Sequence, residues 1–146
     1  MQKFNFFMDS SALIAGVISE TGAAHLLLQL SEYGNISLTV NEFVVAECER
    51  SFARKSPHNL PFLQLAIKKS KLRILENPTF EEVRANIYLI TDPNDVPVLL
   101  SAIQARVDFL VTHNRRHFLD DPQVSEKSGL RIGTPGDAIA WLREQM

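Results

Sequence analysis

Residues 4–16 have the sequence FNFFMDSSALIAG, in which an apolar run of strand length ends at an acid and a helical pattern follows. The run at 4–8 predicts a buried strand, and the pattern at 11–19 predicts a helix directly after Asp9. Further strands are predicted at 36–40, 72–75, 108–112 and 130–132. Further helices are predicted at 22–33, from the N-cap Asn41 to about Lys55, from Pro57 and Pro61 to about 71, from Thr79, from Asp92 to about Val107, and from Thr134 to Trp141. Strands that alternate with helices indicate an α/β fold, with a central parallel sheet covered by helices on both faces.

Length and composition favour one domain over residues 1–146. The chain has 146 residues, of which 45% are hydrophobic and 22% are charged, and no internal repeat or linker interrupts it. Cys48 is its single cysteine, which excludes an intramolecular disulfide and a multi-cysteine zinc site. The apolar run before Asp9 is too short for a signal peptide or a membrane span. We therefore expect a cytoplasmic protein that does not contact a membrane.

The charge balance does not by itself indicate a nucleic-acid partner. The formal net charge is −2, whereas a strongly basic domain would argue directly for nucleic acid. Positive charge is nevertheless clustered along the chain, and a solvated helix face explains such a cluster as well as a phosphate contact does. The clusters that we consider for RNA contact contain Lys68 and Lys69 before the third strand, and Arg115 and Arg116 after the fourth.

Three acids are placed where a sheet of this kind binds ligands, which is at the carboxyl ends of its strands. Asp9 follows the first strand, although it could also cap the helix after it. Glu47 falls inside the apolar arc of its helix, where partial exposure at the rim is the simpler explanation. Asp95 lies at the start of an apolar helical stripe, where a first-turn acid also favours the helix dipole.

Taken together, the three acids predict a metal centre. Two carboxylates about 4 Å apart repel by roughly 4 kcal/mol at an effective dielectric near 20, so three of them require protons or a cation. Oxygen ligands alone suit Mg²⁺ or Mn²⁺ better than zinc or copper. Phosphodiester hydrolysis is the chemistry that best matches such a centre.

Other motifs are weaker. His113 and His117 are four residues apart and could form a zinc pair, but no glutamate follows the first histidine as in a zincin helix. Cys48 lies on an apolar arc, which favours a buried thiol over a nucleophile. A haloacid dehalogenase phosphatase needs a second Asp two residues after the first, and Ser11 occupies that position. Asp121 precedes a proline and predicts a turn, so it is only an outside candidate for the site.

The sequence resembles PIN domains, and most closely the bacterial branch of toxins from VapC-type toxin–antitoxin pairs. The resemblance rests on an ordered set of blocks that spans nearly the whole chain. These blocks are FNFFMDSSALIAG (4–16), NEFVVAECER (41–50), DPNDVPVLLSAIQA (92–105), DFLVTHNRRHFLDDP (108–122) and TPGDAIAWL (134–142).

The resemblance implies a three-layer α/β/α domain with endoribonuclease activity on single-stranded RNA, dependent on Mg²⁺ or Mn²⁺. Asp9, Glu47 and Asp95 match the metal-binding acids of the family. Asn114 matches a position where many PIN domains carry Asp, and it is expected to take part in catalysis directly or through water. The amide in place of a carboxylate puts a second metal in question. Ser11 replaces an Asn that is often present, which predicts a more loosely ordered site.

The resemblance also suggests accessory residues and partners. Ser10 and Thr112 are expected to orient the ligands or the scissile phosphate, and the four basic residues named above are expected to contact RNA. A small antitoxin protein is the expected partner, and the apolar helices at 22–33 and 58–69 could form a homodimer interface. The alternative is a catalytically weakened PIN domain that acts as an RNA-binding or protein-interaction module, which the substitution at Asn114 favours.

Overall fold

The computed structural model describes residues 3–146, and five parallel strands form one sheet in this part of the chain. The strands are β1 (Asn5–Met8), β2 (Ser37–Asn41), β3 (Arg73–Leu75), β4 (Phe109–Val111) and β5 (Ile132–Gly133). Their spatial order is β3-β2-β1-β4-β5. Every neighbouring pair is parallel. The predicted parallel α/β sheet is confirmed.

Helices cover both faces of the sheet. Successive side chains of a strand point to opposite faces, and Phe6, Phe7 and Met8 of the central strand are all fully buried. The three-layer α/β/α architecture is therefore confirmed. The helices of the described chain are α1 (Ser10–Ile18), α2 (Ala23–Glu32), α3 (Glu42–Lys55), α4 (Leu60–Lys69), α5 (Phe80–Ala85), α6 (Val96–Gln104), α7 (Pro122–Ser128) and α8 (Pro135–Glu144).

The order of the strands creates a crevice at one edge of the sheet. The chain moves from β1 outward to β2 and β3, and then returns to place β4 on the other side of β1. Parallel sheets bind ligands outside the carboxyl ends of the strands at such a reversal. Asp9 directly follows β1 and Thr112 directly follows β4, so both residues border this crevice.

The helix predicted from Asp92 to Val107 is wrong at both ends. Residues Pro93–Asp95 form a 3₁₀ turn, and α6 begins only at Val96. In one continuous α-helix the ring of Pro97 would collide with the carbonyl of Pro93, and Pro97 has no N–H to bond it. The helix ends at Gln104 because Arg106 adopts a left-handed backbone with φ of 52°.

The segment after β4 contains two elements that the sequence patterns did not predict. Residues Arg115–Leu119 form a single π-helical turn, which is too short to produce a periodic pattern. Asp121 caps α7 rather than forming only a turn, since its Oδ1 accepts a hydrogen bond from the Gln123 N–H at 3.0 Å. The last strand, β5, begins at Ile132, later than the predicted start at residue 130. The buried Leu130 lies before the strand.

The longest helix in the described residues, α3, has 14 residues, whereas a membrane span needs about 20. No single helix in residues 3–146 is long and apolar enough to cross one. Only α1 and α2 taken together reach the required length and composition, and they are bent by 88° relative to each other.

Candidate metal centre

Asp9 is a buried acid that is held from three directions. Its side chain caps α1, because Oδ1 accepts a hydrogen bond from the Ala12 N–H at 3.0 Å. The same oxygen accepts from Ser11 Oγ at 2.7 Å, and Oδ2 accepts from Thr112 Oγ1. Asp9 is 6% exposed, and burial raises the pKa of its carboxyl despite these hydrogen bonds. A nearby cation would reverse that cost.

Ser11 makes two hydrogen bonds at the centre, and the looser ordering expected from its replacement of Asn stays a prediction. Its hydroxyl donates to Asp9 and accepts from the His113 backbone N–H at 3.0 Å. This pair of bonds joins the chain after β1 to the chain after β4. A short hydroxyl that both donates and accepts is sufficient for this bridge.

Glu47 faces the same edge from α3. It is half-buried, and its Oε1 accepts a hydrogen bond from Ser10 Oγ at 3.0 Å, whereas Glu49 on the same helix is exposed. Ser10 follows Asp9 in the chain, so the hydroxyl links Glu47 to the end of β1. Between the two glutamates, burial raises the pKa of the Cys48 thiol to about 12, and the charges of Glu47 and Asp9 add to the shift. Cys48 therefore remains protonated and is not a nucleophile at neutral pH.

Asp95 forms a second acidic pair with Asp92, and His117 faces both. His117 Nδ1 lies 2.8 Å from Asp95 Oδ2 and 3.6 Å from Asp92 Oδ2. The pKa of Asp95 is raised to about 6, mainly by burial and further by the charges of Asp92 and Asp9, while His117 opposes the shift. Asp92 also caps the 3₁₀ turn, because its Oδ1 accepts from the Asn94 N–H at 2.9 Å.

Asn114 lies between these groups and begins the basic π-helical turn. Its backbone N–H donates to Thr112 Oγ1 at 2.9 Å, and its Oδ1 accepts from the His117 N–H at 3.1 Å. Arg115 and Arg116 follow on the exposed surface of the turn. Both arginines therefore lie in the same turn as His117, which contacts Asp95.

Other residues considered from the sequence lie elsewhere. Lys68 and Lys69 end α4 just before β3, which puts them at the amino edge of the sheet, opposite to Asp9. Lys69 Nζ is 3.9 Å from Glu32 Oε1. His113 is exposed and precedes the π-helical turn, so the structure does not pair it with His117 as a zinc site. Contact of the two lysines with RNA stays a prediction, and the structure does not place them at the crevice.

The donor atoms at this edge fit a divalent cation. Asp9 and Glu47 also lie toward the carboxyl edge, and their binding of one ion together with Asp95 stays a prediction. Oδ2 of Asp95 is buried, and apart from its 2.8 Å contact with His117 Nδ1 no described residue makes a hydrogen bond to it. Within residues 3–146, Asp92, Asp95 and His117 form a group whose ligand atoms lie within 4.8 Å of one another. Carboxylates joined by an imidazole are a donor set for Mg²⁺, Mn²⁺ or a later transition metal.

Sequence reasoning missed Asp92, His117 and Ser11 as parts of this centre. Asp92 was interpreted only as a helix cap, and His117 only as the partner of His113. A usable signal was the spacing Asn-x-x-His directly after a strand, since a tight turn there directs the histidine toward the carboxyl edge. The distance from His117 to Asp95 depends on tertiary packing, which residue spacing does not reveal.

Fold and centre together define the class of this protein: an α/β/α domain with a carboxylate cluster at the point where the strand order reverses. The family comparison is more specific. Residues 5–116 match the family model of the PIN domain. The chain belongs to the PIN domain family, and the resemblance expected from the sequence is confirmed.

Solved structures share this fold at low sequence identity. One of them is a chain in the structure of VapBC2 from Rickettsia felis bound to a DNA fragment from the VapBC2 promoter. That chain is 18% identical to this one with a TM-score of 0.65, and the match covers 90% of this chain and 98% of that chain. PAE2754 from Pyrobaculum aerophilum is 17% identical with a TM-score of 0.66, and the match covers 97% and 90%. No curated protein matches the sequence significantly.

Proposed function

We propose that this PIN domain is an endoribonuclease that hydrolyses single-stranded RNA with Mg²⁺ or Mn²⁺ held by Asp9, Glu47 and Asp95. The observation that carries the proposal is Asp9, an acid buried at the carboxyl end of the central strand with its pKa raised by burial. Three hydrogen bonds from neutral donors only partly offset the burial of this charge, so a bound cation is the simplest reason for an acid at this position. The position of Asp95, with its pKa raised to about 6, supports the same conclusion.

The residues of the chain have separate tasks in this proposal. Asp9, Glu47 and Asp95 would hold the metal, which when bound would activate a water and neutralise charge on the phosphate. Thr112 and Ser11 hold the Asp9 carboxylate in one orientation, and Ser10 does the same for Glu47. Arg115 and Arg116 bind the RNA backbone beside the crevice, which makes the affinity fall with salt.

The partners follow from the family and from the exposed apolar surface. VapBC2, one of the structural neighbours, supports the role of toxin in a toxin–antitoxin pair, with a small antitoxin protein that binds this chain in the cytoplasm. Homodimerisation is proposed on the surface between α2 and α4, where Tyr33, Phe62 and Leu65 are exposed. Exposed apolar clusters of this kind are typical of protein interfaces.

A second candidate function is a PIN domain that binds RNA or protein without cleaving. Asn114 favours it, because an amide supplies a neutral oxygen where a carboxylate would cancel the charge of a second metal. The acids at positions 9, 47 and 95 disfavour it. The two functions differ in whether RNA is cut when metal is present.

The decisive experiment compares Asp9→Asn with Asp121→Asn on a single-stranded RNA substrate. After treatment with EDTA, Mg²⁺ or Mn²⁺ should restore cleavage by the wild type and by Asp121→Asn, because Asn caps α7 as well as Asp does. Asp9→Asn should remain folded and lose more than about 100-fold in rate, since a charged ligand is removed. Cleavage by Asp9→Asn, or cleavage by the wild type in EDTA, would contradict the proposal. Binding of RNA without cleavage in both metals would favour the second function.

A further inference from the structure

The π-helical turn after β4 directs a histidine into the acidic crevice. The Nδ1 atom of His117 is 2.8 Å from Asp95 Oδ2 and 3.6 Å from Asp92 Oδ2. One ligand atom from each of these three residues lies within 4.8 Å of the other two. Neighbouring ligands of one six-coordinate cation are about 3 Å apart, so only small side-chain shifts would be needed to hold an ion.

The backbone holds His117 in this position. Asn114 Oδ1 accepts from the His117 N–H at 3.1 Å, and the Asn114 carbonyl accepts from the N–H groups of Phe118 and Leu119, each at 3.2 Å. Phe118 is buried, which anchors the turn in the core. Single π turns occur frequently at functional sites. The imidazole is therefore presented by a fixed element and not by a free loop.

The oxygen that faces the imidazole lacks another partner. Asp95 Oδ2 is buried, and apart from its 2.8 Å contact with His117 Nδ1 no described residue makes a hydrogen bond to it. A carboxylate oxygen has two lone pairs, so one of them is still available to a cation beside the imidazole. The geometry thus leaves a position between Asp92, Asp95 and His117 for a charged ligand.

We propose that His117 is a nitrogen ligand of a divalent cation held with Asp92 and Asp95, and that it makes this site bind Mn²⁺ in preference to Mg²⁺. This inference rests on the proposed metal centre. It adds His117 and Asp92 to the acids at positions 9, 47 and 95. Mg²⁺ strongly prefers oxygen ligands, whereas imidazole binds transition metals well. His117 thereby adds a nitrogen ligand to the oxygen ligands of this edge.

The test uses the RNA-free protein with Mn²⁺ and Mg²⁺ alone, so that it does not depend on nuclease activity. Pulsed electron paramagnetic resonance of bound Mn²⁺ should show coupling to a ¹⁴N nucleus in the wild type. His117→Gln should abolish this coupling, and His113→Gln should retain it. By calorimetry, His117→Gln should weaken Mn²⁺ binding by about 10- to 100-fold, with Mg²⁺ binding changed by less than about threefold.

Three results would overturn the inference. They are a wild-type spectrum without nitrogen coupling, coupling that disappears in His113→Gln instead, and equal weakening of both metals in His117→Gln. Each would mean that His117 only orients Asp95 or does not contact the ion. The wild-type spectrum decides the question even if His117→Gln fails to fold. Intact Mn²⁺ coupling in a protein that does not cleave RNA would contradict the proposed nuclease function and leave this inference standing.

Discussion

At the scale of single residues, short hydroxyl side chains fix the acids of the crevice. Ser11 and Thr112 hold Asp9, and Ser10 holds Glu47. A serine or threonine loses little side-chain entropy when it is ordered, so this support costs less than a network of long side chains. Each acid therefore has one defined orientation before any ligand arrives.

Glu47 and Glu49 allow a test of which face of α3 carries function. Glu47→Gln keeps the oxygen that accepts from Ser10 but removes a ligand charge, so Mg²⁺-dependent RNA cleavage should fall by more than about 100-fold. Glu49→Gln, which changes an exposed side chain in the same way, should leave cleavage within about twofold. Thermal melts without metal should show both variants within about 0.5 kcal/mol of the wild type.

The two variants change net charge and composition identically, so only the position differs. Equal cleavage by the two proteins would mean that Glu47 does not hold the metal. A large loss of stability in Glu47→Gln would instead indicate that its charge has a structural role.

At the scale of elements, Asn41 joins two helices of the site. Glu47 lies in the first, α3, and Asp95 directly precedes the second, α6. Asn41 Oδ1 caps α3 by accepting from the Val44 N–H at 2.9 Å. Its Nδ2 donates to the Pro97 carbonyl at 3.1 Å and to Ser101 Oγ at 2.8 Å, both in α6. Asn41 is fully buried, so neither helix can substitute water for these bonds.

We expect Asn41→Ala to lower the free energy of unfolding by about 2–3 kcal/mol, because it removes the cap and leaves Ser101 without a donor. Asn41→Ser should cost about 1 kcal/mol, since its hydroxyl can still cap α3 although it cannot reach α6. Urea unfolding of the metal-free protein measures both values. If the two variants were equally stable, the cap of α3 would contribute nothing to stability. A loss below about 0.5 kcal/mol in both variants would mean that Asn41 does not stabilise the packing of α3 against α6.

The elements that could be predicted are those with strong local signals. Asn41, Thr79 and Thr134 each mark a helix start, and each caps the helix that follows in the structure. The 3₁₀ turn before α6 depends on Pro93 and Pro97 together. The apolar periodicity of the helix does not predict this effect. The π turn has no periodic pattern, and its consequence, the placement of His117, depends on packing between distant segments.

At the scale of the whole molecule, the strand order determines which distant residues meet. Asp9 and Thr112 are 103 positions apart in sequence, yet they hydrogen-bond because β1 and β4 are neighbours. The position of Asp9 at the carboxyl edge could be predicted from a strand that ends at an acid. Its hydrogen bond to Thr112 could not, because strand order is a property of the complete fold and not of a motif.

Several exposed apolar side chains of the described residues lie on two surfaces that can be compared. One lies along α2 and α4, with Tyr33, Phe62 and Leu65 exposed beside a groove that Gly16 and Leu28 also line. The other lies around α5 and the 3₁₀ turn after it, where Phe80, Ile87 and Tyr88 are exposed. Phe62 is 57% exposed and Phe80 is 76% exposed, so the same substitution can be compared at the two surfaces.

We predict that the protein is a homodimer through the surface on α2 and α4. A stable dimer buries roughly 800 Å² on each partner, and an aspartate at the centre of such an interface would place an unpaired charge in an apolar contact. Phe62→Asp should therefore produce a monomer, whereas Phe80→Asp should remain a dimer, as measured by light scattering after size-exclusion chromatography. Both side chains are exposed in the isolated chain, so neither substitution should unfold it. A monomeric wild type would contradict dimerisation, and a dimer that dissociates in Phe80→Asp but not in Phe62→Asp would place the interface on α5.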